Sequence, residues 1–407
     1  LSDAQRRFRL FLAIFTITGF SNFYFLLGPF LEGRGFSPRY AGLALSLYFA
    51  ATVAFRPFGA RALEGLGTRR TLIASGGLCA LGGALMALGT DSPALVLLSR
   101  ALMGVGTSAY GVGVMAYQGL IVSEESRGSA FALLAAGSMA PQATVVPLAE
   151  WLLARGWEGA FLWGATAMAV GAALLGAWCV PRGDSGRPRG GEGKEPSAPR
   201  AARRSEAETL PDGETWGSYG DLFRSAGVRL LLLTALAVAL SDAMTLVTPY
   251  LARERGLRVS WFMAASATVA ILIRTLGFRL MDRFPRTRTI APALGMMSAA
   301  LIGTAFARTD PVLALWGGLF GLGIGIGFPT LLSLVGDLLP HRLRPKGTAS
   351  VLLIYDAGWM LTPLFYGLAA PRMGTLWSFL AAGLLGLVAA AGLNRHLRRM
   401  PRSRPSR

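Results

Sequence analysis

RPFGARALEGLGTRR at residues 56–70 returns as RTLGFRLMDRFPRTR at 274–288. Each copy follows an apolar run and crowds arginines into a turn. Arg56 aligns with Arg274, Gly59 with Gly277, Arg61 with Arg279, Glu64 with Asp282 and Arg70 with Arg288, every pair 218 residues apart. Working outward, SNFYFLLGPFL at 21–31 matches SDAMTLVTPYL at 241–251, which sets Asn22 against Asp242. TDSP at 90–93 returns as TDP at 309–311, and RGSA at 127–130 as KGTA at 346–349. Four matches in one order mean that a whole half of the chain is duplicated.

The 407 residues are 53% hydrophobic and 15% charged, with mean hydropathy +0.48, against about 25% charged in ordinary soluble domains. Twelve apolar stretches read as helices long enough to cross a bilayer: 10–31, 40–60, 71–89, 94–117, 129–153, 160–180, 228–251, 260–280, 289–307, 312–335, 347–370 and 375–393. The alternating ten-residue pattern of membrane barrels is missing, so the fold expected is all-α, two pseudo-symmetric six-helix bundles. The expected division is a first bundle over 1–180, a linker rich in Gly, Pro, Ser, Glu and Arg over 181–227, a second bundle over 228–394 and a basic tail over 395–407. YGDLFRSAGVR at 219–229 is spaced as a short interfacial helix entering the seventh span.

The formal charge of +18 raises nucleic acid as a partner, and the placement of the basic residues dismisses it. With both ends cytoplasmic, 29 of the 40 basic residues fall on that side and eight on the other, leaving Arg56, Arg100 and Arg274 within spans. That asymmetry is the positive-inside bias of a multi-pass inner-membrane protein, its surroundings a lipid bilayer. Cys79 and Cys179 lie in apolar runs and read as small buried hydrophobes. No metal-ligand spacing is formed with His341 and His396, and no membrane-face cluster of His, Cys or acids suggests an enzyme. Charge and another span, not a small-residue cleavage site, follow the first span, so insertion by the spans themselves is expected, without a cleavable leader.

With its turn between the second and third spans, the sequence resembles the major facilitator superfamily across all twelve spans. The family's signature there runs approximately G-x-x-x-D-R-x-G-R-R; this chain places Ala60, Glu64, Gly65, Gly67, Arg69 and Arg70 on it, and the second copy restores Asp282 and Arg283. The resemblance implies gating latches at Gly59, Glu64, Gly67, Arg69, Arg70, Gly277, Asp282 and Arg283. By the family's arrangement Glu64 faces the start of span eleven near Lys346 to Thr348, and Asp282 the start of span five near Arg127 to Ser129, holding an outward-facing state. RALMGVGTSAYG at 100–111 resembles the fourth-span motif through Arg100 and Gly104, with Met103 in place of the usual Gln. GSMAPQATVVP at 137–147 matches the fifth-span antiporter motif poorly, whereas DAGWMLTPLFYG at 356–367 resembles the eleventh span of drug-efflux and metallophore-exporter branches.

Three ionisable residues inside spans are candidates for proton coupling: Asp242, about 13 Å from the end of its span, Asp356, about as deep from the opposite side, and Arg100, ~9 Å into span four. Each has a plainer reading. Asp242 suits a hydrogen-bonded structural acid or a ligand for a cation, Asp356 a cap or packing residue beside Gly358, and Arg100 a snorkelling side chain unless it faces an acid or a wet cavity. Arg56 and Arg274 are expected to pair with loop acids. Asn22, Tyr24, Tyr110, Tyr355 and Trp359 are candidates for the substrate cavity, although most aromatics in such helices only pack. The expected function is alternating access by a monomer without a cofactor, driven by the proton gradient: efflux of a drug-like compound or a metabolite such as a metallophore, or symport of a metabolite. A sensory or lipid-modifying membrane protein is the alternative from another class.

Overall fold

The computed structural model describes residues 3–121, 127–180, 217–276 and 285–399. The linker over 181–216, and with it Gly277, Asp282 and Arg283 of the second turn, lie outside the described residues, as does the side chain of Glu64. The described residues are helical without a strand: α1 (Asp3–Phe23), α2 (Leu27–Gly33), α3 (Pro38–Leu66), α4 (Thr68–Leu88), α5 (Pro93–Ile121), α6 (Arg127–Ala154), α7 (Glu158–Cys179), α8 (Tyr219–Arg224), α9 (Ala226–Ala243), α10 (Thr248–Glu254), α11 (Val259–Leu276), α12 (Arg286–Phe306), α13 (Asp310–Leu338) and α14 (Arg344–Arg399). Among them nine helical segments are long and apolar enough to cross a membrane. The last of these is two rods, because Gly374 inside α14 takes φ 73° and turns the chain sharply; a left-handed backbone of this kind suits glycine best.

The same helix pairing occurs twice. In the first half α1 packs on α6 and α7, α3 on α5, and α4 on α5 and α7; in the second α9 packs on α14, α11 on α13, and α12 on α13 and α14. Glycine permits the closest of these approaches. A Cβ on Gly104 of α5 would lie 2.2 Å from the Tyr48 carbonyl oxygen of α3, and one on Gly321 of α13 would lie 2.2 Å from the Ser266 carbonyl oxygen of α11. Tyr48 and Ser266 stand 218 residues apart, so the repeat extends to individual contacts. In lipid, where apolar burial drives little association, such small-residue contacts hold helices together. The two bundles meet along two seams, α3 against the first arm of α14 and α6 against α11.

Two helices are broken at repeat-related places. A 3₁₀ turn over Tyr24–Leu26 separates α1 from α2, and another over Met244–Leu246 precedes α10. The cause is local. Pro29 has no N–H for the carbonyl of Phe25, nor Pro249 for that of Thr245, and each ring crowds that carbonyl, so the helix tightens one turn earlier. At the entry to the second half, Ser218 and Asp221 form a reciprocal capping box on α8, and α9 begins at Ala226. The interfacial segment expected over 219–229 is therefore a short helix followed by a break at Ser225.

Candidate functional site between the bundles

Asp242 lies in the last turn of α9, immediately before the 3₁₀ break, and is 8% exposed. Its carboxylate accepts a hydrogen bond from the Tyr355 hydroxyl of α14, with the Trp359 indole beside it and the Arg274 guanidinium near enough for the two charges to interact. Tyr355 packs on Phe328 of α13 with ring centroids 4.8 Å apart, and Trp359 meets Phe49 of α3 at 5.4 Å and Phe25 of the first break at 6.3 Å. A buried acid is thus surrounded by donors and flat rings at the junction of both halves. Asn22, its repeat counterpart, donates to the Thr18 carbonyl at 2.7 Å, while its side-chain oxygen is buried without a partner.

Arg56 and Arg274 do not pair with loop acids among the described residues. Arg56 of α3 crosses the seam to form an ion pair with Asp356 of α14. Arg274 of α11 crosses the other seam and donates to Met139 Sδ of α6 at 3.0 Å, and also to the Ile324 carbonyl of α13 at 3.3 Å. The side chains of the loop acids Glu64, Glu124, Glu125 and Asp282 lie outside the described residues, and the partners found for both arginines come from neighbouring helices.

Arg100, 3% exposed, faces neither an acid nor snorkels outward. Its guanidinium stands 4.5 Å from the centroid of Tyr48 and 5.4 Å from that of Tyr24, and its Nε donates to the Ala44 carbonyl at 3.2 Å. Tyr48 is fixed in turn by a 2.7 Å hydrogen bond with Ser21. Tyr24 and Tyr110 belong to the packing of the first bundle. Tyr24 lies among Phe20 and Phe161, and Tyr110 donates to the Ala172 carbonyl at 2.8 Å. Tyr110 shares the buried face of α5 with Met103, Val114 and Tyr117, a spacing that points it into its own bundle.

Of the first turn, Gly67 takes φ 77° between α3 and α4, and Gly59 packs on Ala109 and Val112 of α5. Arg69 donates to the Ala177 carbonyl at the end of α7 at 3.1 Å, bracing the turn within its own bundle, whereas Arg70 is exposed. Lys346, expected near Glu64, donates to the Gly217 carbonyl and lies toward Tyr219.

Glu150 carried no signal in the sequence. From the end of α6 its carboxylate crosses the seam and accepts the N–H groups of Val259 at 2.7 Å and Ser260 at 3.0 Å, capping α11. Nearby, on the distal face of the molecule, away from the α3–α4 turn, Arg253 donates to the Pro29 carbonyl and the Tyr250 hydroxyl sits against Gly28. On that same distal face Gly42 and Gly367 bring α3 and α14 together: a Cβ on either would fall 2.4 Å from the Pro363 carbonyl oxygen or 2.5 Å from that of Pro38. An acid at a helix end one span away leaves no local pattern. The paired prolines at 29 and 249 were a usable signal for the breaks.

The sequence matches the Major Facilitator Superfamily over residues 9–273 and 230–407. A 105-residue stretch is 30% identical to the niacin transporter NiaP of Acinetobacter baylyi (strain ATCC 33305 / BD413 / ADP1), covering 26% of this chain and 24% of that protein. Among solved structures, the human organic anion transporter MFSD10 (TETRAN) is similar with TM-score 0.66 and 17% identity over 97% of this chain and 100% of that one. The peptide transporter POT in complex with sulfate gives 0.75 and 16% identity over 97% and 94%. A bacterial homologue of the human lysosomal transporter Spinster gives 0.74 and 16% over 98% of each chain. At these identities the structural likeness establishes the fold.

Proposed function

This chain belongs to the Major Facilitator Superfamily, and from that premise we propose that it moves a small organic molecule by alternating access, with Asp242 as the proton-carrying group and no cofactor beyond the proton gradient. It is a multi-pass membrane transporter and not an enzyme. Our reading places twelve spans in a bacterial inner membrane with both chain ends in the cytoplasm, in keeping with the bias of basic residues, and takes the protein as a monomer. The observation that carries the coupling role is the position of Asp242. It is an intramembrane acid at a helix break, held by the Tyr355 hydroxyl of α14, a neighbouring helix of its own bundle, and facing the junction of both halves. Rocking of one bundle against the other gives such a group access first to one side, then to the other. Asp356, paired with Arg56 across a seam, is the second acid whose partner changes as the bundles move.

Export by antiport fits the resemblance of span eleven to efflux branches. Symport is a second reading, favoured by the cation of Arg274 at this junction, because a guanidinium held by a sulfur and a carbonyl, with its Nε unpartnered, is suited to an anionic substrate. Purified protein in liposomes with an imposed pH gradient and an enclosed pH-sensitive dye tests both, using a panel of cationic drugs, sugars, amino acids, aromatic acids and metal-chelating metabolites. Protons moving against a compound establish antiport, and protons moving with it establish symport. Asp242→Asn is expected to abolish the proton signal while counterflow of the same compound persists; undiminished proton-driven transport by this variant removes Asp242 from the mechanism.

A further inference from the structure

The repeat places two arginines at equivalent positions, and only one of them forms an ion pair among the described residues. Arg56 and Arg274 stand 218 residues apart, each reaching across a seam to the opposite bundle. Arg56 meets the carboxylate of Asp356. The residue corresponding to Asp356 in the first half, by the offset of RGSA to KGTA, is Gly137, which has no side chain to offer. Arg274 meets instead the thioether of Met139, two residues further along α6.

A thioether is a weak acceptor, and a guanidinium carries five N–H donors. Arg274 has one carbonyl and one sulfur, and its Nε is buried with no partner at all. The ion pairs found among the described residues do not include it. Leaving a buried charged donor unsatisfied is costly, so such a group stands ready for an anion. Methionine, unbranched and with three rotatable bonds, is easily displaced from its place. Flat rings continue from this point: Phe328 lies 5.8 Å from the guanidinium, then Tyr355, then Trp359 between Phe25 and Phe49.

We propose that the anion missing from this seam is supplied by the substrate, so that the transporter carries small organic anions, a carboxylate seated on Arg274 in place of Met139 and an apolar, ring-bearing body against Phe328, Tyr355 and Trp359. This rests on the transport reading and deepens its symport arm, since an anion on Arg274 and an ionised Asp242 repel each other and substrate and proton therefore enter together.

Binding separates this from transport. Thermal unfolding of the detergent-purified protein is followed with benzoate and phenylacetate, with benzamide and with benzylamine, which keep the ring and change the charge. The carboxylates are expected to raise the midpoint, and the amide and amine to leave it in place. Arg274→Met removes the effect, Arg274→Lys keeps part of it, and Met139→Glu, which supplies an internal carboxylate, weakens benzoate binding at least tenfold without loss of the cation. Stabilisation by benzylamine, an undiminished benzoate effect in both Arg274→Met and Met139→Glu, or no effect of either carboxylate overturns the proposal. If benzoate binds through Arg274 yet nothing crosses the liposome membrane, the transport reading fails and the anion site stands. An amine that crosses with a proton signal does the reverse: transport stands and the anion site falls.

Discussion

Arg100 shows how a charge is kept inside this protein without a counter-charge. A cation inside a span costs up to about 3 kcal/mol on insertion scales. Two desolvated aromatic faces at about 1–2 kcal/mol each are of the same size, and Tyr48 and Tyr24 supply them. Tyr48→Leu is therefore expected to destabilise the protein by about 2 kcal/mol in thermal or chemical unfolding in detergent, whereas Tyr48→Phe, which keeps the ring and loses the Ser21 hydrogen bond, costs roughly 1 kcal/mol. Equal losses from the two variants would show that the hydroxyl, not the ring, matters. The Arg56 and Asp356 pair behaves differently because its side chains remain 42% and 22% exposed, which places it between surface pairs and fully buried ones. Either single neutralisation should reduce transport about tenfold, and the exchange of both charges, Arg56→Asp with Asp356→Arg, should recover most of it; an exchange no better than the singles would leave the pair without a role in turnover. The sequence revealed the depth of these arginines and therefore their cost. Their partners come from other helices, at no fixed spacing, and became visible only in the fold.

At the scale of elements, the all-helical membrane architecture and the duplication were legible because hydropathy and repeat are properties of the chain itself. The breaks in the first and seventh spans were written less openly, in two prolines that also read as ordinary span residues. Glu150 was not legible at all. A carboxylate accepting two N–H groups of α11 neutralises the positive end of that helix, and charge-assisted contacts of this kind at a helix end contribute about 1–2 kcal/mol. The contact needs α6 and α11 to touch at the distal face, so on the alternating-access proposal it favours the conformation seen here over one in which that face opens. Glu150→Gln should shift the balance away from the distal-closed state by about tenfold, read as a change in the distance distribution between spin labels placed on the loops at Arg34 and Arg308. An unchanged distribution would reduce Glu150 to a local cap. Asp221 is a cap of the simpler sort. Hydrogen bonds from the backbone and hydroxyl of Ser218 hold its carboxyl below the usual range, so its contribution to α8 persists at neutral pH and is lost only as pH falls through that lowered value.

Across the whole molecule, the alternating-access proposal makes the seams decide which side of the site is closed. Distal closure involves contacts of unlike kinds, among them backbone against backbone where Gly42 and Gly367 let α3 and α14 approach, and charge against helix end where Glu150 meets α11, with Arg253 on the Pro29 carbonyl between them. The first has no slack. A side chain at Gly367 would place its Cβ 2.5 Å from the Pro38 carbonyl oxygen and 3.2 Å from the Cα of Gly42, so it cannot fit unless the bundles part. Gly367→Val should act as a wedge that opens the distal face, and because the other seam is a separate set of contacts its effect should add to that of Glu150→Gln. With a cysteine in place of Asn22, which is 5% exposed as the structure stands, a membrane-impermeant maleimide applied from the distal side should label the wedge variant about tenfold faster than its parent, and the double variant faster again. Labelling no faster in Gly367→Val would mean that close packing of α3 on α14 accompanies distal closure without maintaining it. Equal rates in the single and double variants would mean that the two seams open as one unit, and the bundles would then rock about a single cooperative contact instead of two independent ones.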